Sequence, residues 1–152
     1  MNEIKHIIIE GTSKTPQIDF NNLSGELILS GKSIPENAAK IYEPLMDWVL
    51  EYIKSPKPTT NFRLNLEYYN TSSYIWFAKI IKTLAKITNE DYILFIHKYF
   101  DIEDFEDMNL EEIKDSVSQL VDNIGPTTVS IGVKAYGVDE RGKVLKESMI
   151  LV

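Results

Sequence analysis

The chain opens with short runs in which apolar residues cluster or alternate with polar ones. Ile4 to Ile9 and Gln17 to Phe20 read as strands, and Asn21-Asn22-Leu23-Ser24-Gly25 supplies turn chemistry before a further strand, Glu26 to Ser30. The last two strands are expected to form a hairpin. The period then changes. Ala38, Ile41, Tyr42, Leu45, Trp48, Val49 and Tyr52 follow helical spacing, and Pro44 within the run predicts a kink. Ser33-Ile34-Pro35-Glu36 fits a capping box, which puts the start of this helix at Ser33. Ser55-Pro56-Lys57-Pro58 ends it.

Phe62 to Tyr69 returns to strand period, with Phe62, Leu64, Leu66 and Tyr68 on one face. It runs directly into Asn70-Thr71-Ser72-Ser73. A second helix is predicted from there to about Thr88, its inner face made of Tyr74, Phe77, Ala78, Ile81, Leu84 and Ala85. Asp91 to Phe100 is apolar on both faces, as a central buried strand should be. An acidic loop follows, then a third helix from Leu110 to Asn123, broken by Gly125-Pro126. Thr127 to Tyr136 and Val144 to Val152, joined by Gly137 to Gly142, read as a closing hairpin. The order predicts an α/β fold: a single domain over 1–152, with a mixed β-sheet, about three helices packed on it and an extra C-terminal β-hairpin.

Composition narrows the function. The 152 residues are 43% hydrophobic, enough for a core without crosslinks. The absence of cysteine excludes disulfides, thiol catalysis and Cys-based zinc sites, and it fits a reducing cytoplasm. Met1 to His6 lacks the basic region and long apolar run of a signal peptide, and no apolar stretch reaches the roughly 20 residues that span a bilayer. A cytoplasmic chain without membrane insertion is the expectation. The net charge of −7 speaks against a nucleic-acid partner, whose phosphates demand a basic surface.

The junction Asn70 to Ser73 is the strongest local feature. Each of the four residues has a side-chain oxygen able to cap the helix. The same helix start offers free N–H groups and partial positive charge, so it also favours a phosphate on one of its hydroxyls. At about 100° per residue, Thr71, Ile75, Lys79, Lys82 and Lys86 fall on or near the face away from the core. That face reads either as ordinary solvated surface or as a docking surface.

Elsewhere the chemistry is sparse. Asp101 to Asp115 holds eight acids and one base, Lys114. The segment lacks the spacing and glycine of a calcium loop, which leaves a solvated loop, a surface for a basic partner or a weak Mg²⁺ site. His97 lies in an apolar strand and reads as a satisfied core residue; His6 carries less signal. No H-E-x-x-H, G-x-S-x-G or phosphate-loop motif is present, so nothing positive points to an enzyme, a cofactor or a metal.

Taken together, Thr15-Pro16, Leu29-Ser30-Gly31, Ser33-Ile34-Pro35-Glu36-Asn37-Ala38, Tyr42, Pro44-Leu45, Trp48, Tyr69-Asn70-Thr71-Ser72-Ser73 and Glu106-Asp107-Met108 resemble the SiaC-type regulatory phosphoproteins of bacteria. These are similar in fold to the anti-sigma-factor antagonists, the STAS domains. The resemblance covers residues 15 to 108; residues 109–152 form a divergent extension. It implies a STAS-like fold and a partner switch. A Ser/Thr kinase of the histidine-kinase-like ATPase type would phosphorylate Thr71, in preference to Ser72 or Ser73, and a PP2C-type phosphatase would reverse it. The unmodified form would bind a signalling partner such as a diguanylate cyclase. With the helix face, it nominates Asn70, Thr71, Ser72, Ile75, Lys79, Lys82, Pro35, Glu36 and Asn37 as the partner surface. Two other readings compete: a constitutive binding module in which the motif only caps the helix, and a metal-assisted hydrolase using the Asp101 to Asp107 carboxylates.

Overall fold

The computed structural model describes residues 4–151; the start of the chain, Met1 to Glu3, and Val152 of the expected last strand lie outside the described residues. The elements are β1 (Ile7–Ile9), β2 (Gln17–Asn21), β3 (Glu26–Ser33), α1 (Ala38–Tyr52), β4 (Thr59–Tyr69), α2 (Thr71–Leu84), β5 (Ile93–Asp101), α3 (Ile102–Asp107), α4 (Leu110–Ser118), β6 (Ser130–Val138) and β7 (Val144–Leu151). The seven strands form one mixed sheet in sequence order. β3, β4, β5 and β6 are mutually parallel, while β1, β2 and β7 join antiparallel at the two edges. Both expected hairpins, β2–β3 and β6–β7, are present.

Parallel neighbours joined in sequence require three crossovers of one hand, which puts every helix on the same face of the sheet. The register makes that face apolar from edge to edge. Ile7, Phe20, Leu27, Phe62, Ile96, Val133 and Ile150 pair in turn, one from each strand. All but Ile7 are buried, and α1 and α2 cover the row with Tyr42, Leu45, Trp48, Val49, Tyr52, Phe77, Ile80 and Ile81. The opposite row, Ile8, Asp19, Ile28, Arg63, His97, Lys134 and Met149, is mixed, and no helix among the described residues lies over it.

Three sequence expectations need correction. Ser33 is not a helix cap. It ends β3, fully buried, and α1 begins at Ala38 with Asn37 as its cap. The strand outlasts Ser30 because Gly31 takes a positive φ of 90°, where a Cβ would meet nothing, and the chain carries on beside β4. The acidic loop is not all loop: Asp101 caps the six-residue helix α3, anchored by buried Phe105, so the described residues form four helices and not three. Tyr68 does not share the inner face with Leu66. β4 pairs Leu66 with Gly31 and Tyr68 with Lys32, so Glu67 is an extra residue. Such a bulge reverses the alternation. Tyr68 is therefore 65% exposed, and Tyr69 turns towards the helices, stacking on Tyr74 and meeting Phe77 edge-on. The remaining differences are at element ends: α2 stops at Leu84 and α4 at Ser118.

Candidate functional site

α2 begins where β4 ends, and its first turn is held by one residue. Asn70 is the N-cap: its Oδ1 accepts from the Ser73 N–H at 3.0 Å and from the Ser72 hydroxyl at 3.0 Å. Its Nδ2 donates to the Pro35 carbonyl at 3.3 Å, and its backbone N–H donates to the Ser33 carbonyl at 3.0 Å. The β3–α1 loop is thereby tied to the start of α2.

The hydroxyls that follow have unlike surroundings. Ser73 is fully buried and donates to the Ser33 carbonyl at 3.0 Å. Its Oγ also lies 2.8 Å from Ser33 Oγ, which in turn bonds the Tyr42 hydroxyl. Burial pushes the Tyr42 phenol up to about 12, so it stays protonated. Ser72 is exposed but engaged with Asn70. Thr71, the first helical residue, is exposed, and its hydroxyl has no partner among the described residues.

The helix-wheel face is reproduced: Ile75, Lys79, Lys82 and Lys86 are all exposed. Lys79 is not a free charge, for its ammonium lies 4.4 Å from the centre of the Trp76 ring. Of the loop residues, Glu36 and Asn37 are exposed, whereas Pro35 is buried and contributes its carbonyl. Sequence reasoning missed the apolar side chains that flank the motif. Ile34 in the tied loop, Tyr69 just before the cap and Ile75 in α2 are exposed, and Tyr68 is exposed on the uncovered face. Isolated exposed apolar residues are ordinary, and a group of them on segments tied to one helix start is a candidate docking surface.

The other candidates are spread apart or inert. Glu106 pairs with Lys146 at 3.4 Å, and no three Asp, Glu or His side chains among the described residues converge as metal ligands would. Asp101, Ile102 and Glu103 with Asp139, Glu140 and Arg141 line an open cleft of about 470 Å³ at the carboxyl ends of β5 and β6. Among the described residues, no helix is long and apolar enough to cross a membrane. His6 bonds Asp19 at the surface.

His97 is buried on the uncovered face and bonded at both nitrogens. Asn61 Oδ1 can only accept, so Nε2 carries the proton, and Nδ1 accepts from the Tyr136 hydroxyl, each at 2.7 Å. Burial, with Arg63 and Lys134 nearby, holds its pKa down to about 3. The unfolded chain takes up a proton at this residue below about pH 6.5 and the folded chain does not. Stability is thus expected to fall as pH drops from about 6.5 towards 3. Urea unfolding at pH 7 and pH 5 checks this: the loss should shrink in His97→Gln, and an equal loss in both proteins contradicts it.

Comparison with known proteins accords with this architecture. The crystal structure of apo-SiaC from Pseudomonas aeruginosa superposes with a TM-score of 0.67 at 20% identity, over 86% of this chain and 98% of that one. SiaC in its complex with the diguanylate cyclase SiaD, which it activates, gives 0.66 at 22% identity, over 86% and 99%. At such identity these likenesses establish the fold. An uncharacterised protein of the same organism is 35% identical over 65 residues, 43% of this chain and 52% of that relative, so the chain spans about half its length. The model of the SiaC family of regulatory phosphoproteins matches residues 9–125, from the last residue of β1 past α4. This chain therefore belongs to the SiaC family of regulatory phosphoproteins.

Proposed function

We propose that this protein is a partner switch: its unmodified form binds and activates a diguanylate cyclase, and phosphorylation of Thr71 releases it. The observation that carries the reading is the contrast at the start of α2. Thr71 offers an exposed, unengaged hydroxyl on the first turn of α2, with exposed Ile75 one turn further along the helix and exposed Ile34 on the loop that Asn70 ties to it. A phosphate adds a charge of about −1.5 to −2. On its own chain that charge sits well, because the helix N-terminus is an electropositive end. In an interface that covers the same turn it must be desolvated, which is costly without a cation to meet it. One modification thus leaves the fold intact and removes the partner.

Family membership supports a regulatory and binding role over an enzymatic one. The relative SiaC is seen bound to the cyclase SiaD as its activator, and that supports the class of partner. A Ser/Thr kinase of the histidine-kinase-like ATPase type and a PP2C-type phosphatase complete the proposed circuit. The partner surface comprises Asn70, Thr71, Ser72, Ile75, Lys79 and Lys82 with Glu36 and Asn37.

One observation favours the plainer reading of a constitutive binding module: Asn70 alone caps the helix, which gives the motif a structural role of its own. The two readings separate in a cyclase assay. Adding the unmodified protein to a purified diguanylate cyclase of the same genome should raise cyclic-di-GMP production, and protein pre-treated with kinase and ATP should not. Equal activation by both would leave only the constitutive module.

A further inference from the structure

Three hydroxyls stand in a row at the start of α2, and a kinase approaching the exposed turn meets a nucleophile only where the oxygen and its proton are free. Two of the three are spoken for. Ser73 Oγ donates to the Ser33 carbonyl, so it must accept from Ser33 Oγ; Ser33 has then spent its own proton and accepts from Tyr42. The chain runs one way, from the Tyr42 hydroxyl to Ser33, to Ser73 and back to the Ser33 backbone. It is closed and fully buried, with no exposure at Ser33, Ser73 or Tyr42. The Ser33 carbonyl is filled by Ser73 and by the Asn70 N–H. Ser72 is exposed, but its proton goes to Asn70 Oδ1, the atom that also caps the helix.

We infer that Asn70 and the buried Ser33–Tyr42–Ser73 chain determine which hydroxyl is modified, by engaging Ser72 and Ser73 and leaving Thr71 as the one free acceptor. Asn70 is the specificity-determining residue for Ser72, and Ser33 with Tyr42 for Ser73. The inference rests on the phosphorylation reading and gives it a structural cause. In the transfer, Thr71 Oγ1 bonds to the γ-phosphorus of ATP, the bond to the ADP oxygen breaks, and the hydroxyl proton passes to a base of the kinase. Ser72 would first have to give up Asn70, and Ser73 would have to leave the core.

The test uses the full chain, ATP and a purified Ser/Thr kinase of the histidine-kinase-like ATPase type, with the label mapped by mass spectrometry. Wild type should be labelled at Thr71, and Thr71→Ala should lose at least tenfold of the label. Asn70→Gly frees Ser72 while glycine still serves as a helix cap. It should bring label to Ser72 at least tenfold above its wild-type level. The double variant Asn70→Gly with Thr71→Ala should regain label, now on Ser72. Label confined to Thr71 in Asn70→Gly, with an unlabelled double variant of native circular dichroism, overturns the inference. A kinase-independent measurement separates it from the switch itself. Hydroxyl-proton exchange followed by NMR should rank Ser73 slowest, Ser72 intermediate and Thr71 fastest. Equal exchange at the three overturns the selection even if Thr71 is phosphorylated. The predicted ranking with no label on wild type would remove the switch and leave the hydrogen-bond order standing, overturning its role in modification.

Discussion

Thr71→Glu should bind the cyclase partner at least tenfold more weakly than wild type, a loss of at least about 1.4 kcal/mol, while its fold and melting temperature stay unchanged or improve slightly. The two halves of this result come from one position. Thr71 is the first residue of α2 and is exposed, so a carboxylate there faces the positive end of the helix and removes no internal bond. The same carboxylate lies one helical turn from exposed Ile75 and next to the tied loop that carries exposed Ile34, and a partner covering those side chains must take it out of water. Thr71→Ala should bind like unmodified wild type and become insensitive to the kinase. It should also cost little stability, because Asn70 and not Thr71 is the cap. The cost of losing a cap, about 1 kcal/mol, belongs to Asn70→Ala. Isothermal titration and thermal melts on the three variants check these points. A Thr71→Glu protein that binds as well as wild type would contradict the account of the surface.

Phe62→Ala should cost about 3–5 kcal/mol, close to the whole stability of many domains. Phe62 is the middle member of the apolar row that crosses all seven strands, and it is fully buried between Leu27 and Ile96. Its ring meets Phe20 edge-on at 6.4 Å, and Phe20 in turn meets Trp48 of α1 at 5.4 Å. Truncation leaves a void between the sheet and the helix layer that neighbours on both sides are too constrained to fill. For a chain of this length the melting temperature should drop by roughly 10 °C. Urea unfolding that finds less than about 1 kcal/mol lost would mean that this row is not the centre of the core.

Much of this architecture was readable in periods of two and of 3.6. The α1 stripe from Ala38 to Tyr52 was complete, and the apolar run of β5 pointed to a strand with neighbours on both sides. What escaped depends on partners distant in the chain. Ser33 and Glu36 have capping-box spacing, yet Ser33 is drawn into the core by Tyr42 and by Ser73, forty residues away. The bulge at Glu67 is set by pairing with β3, so no local pattern announced that Tyr68 would face solvent. α3 was hidden because its acids are dense and its apolar anchors are few, Phe105 with Ile102 against Gly137 of β6. At the site, the motif was legible while the roles within it were not. Four residues had the chemistry of a cap, and only the fold assigned it to Asn70. The flanking Tyr69 and Ile34 are invisible as a surface until β3, β4 and α2 are brought together.

In the proposed switch, one phosphate at the start of α2 decides whether the partner is bound. The most direct measurement phosphorylates the protein with a purified kinase of the histidine-kinase-like ATPase type, maps the phosphate by mass spectrometry and titrates both forms against the diguanylate cyclase. A partner switch requires a single phosphate on Thr71, tight binding of the unmodified form, loss of binding on phosphorylation and recovery after PP2C-type phosphatase treatment. A phosphate absent from residues 71–73, or a Thr71-phosphorylated protein that binds the cyclase as tightly as the unmodified one, would contradict it.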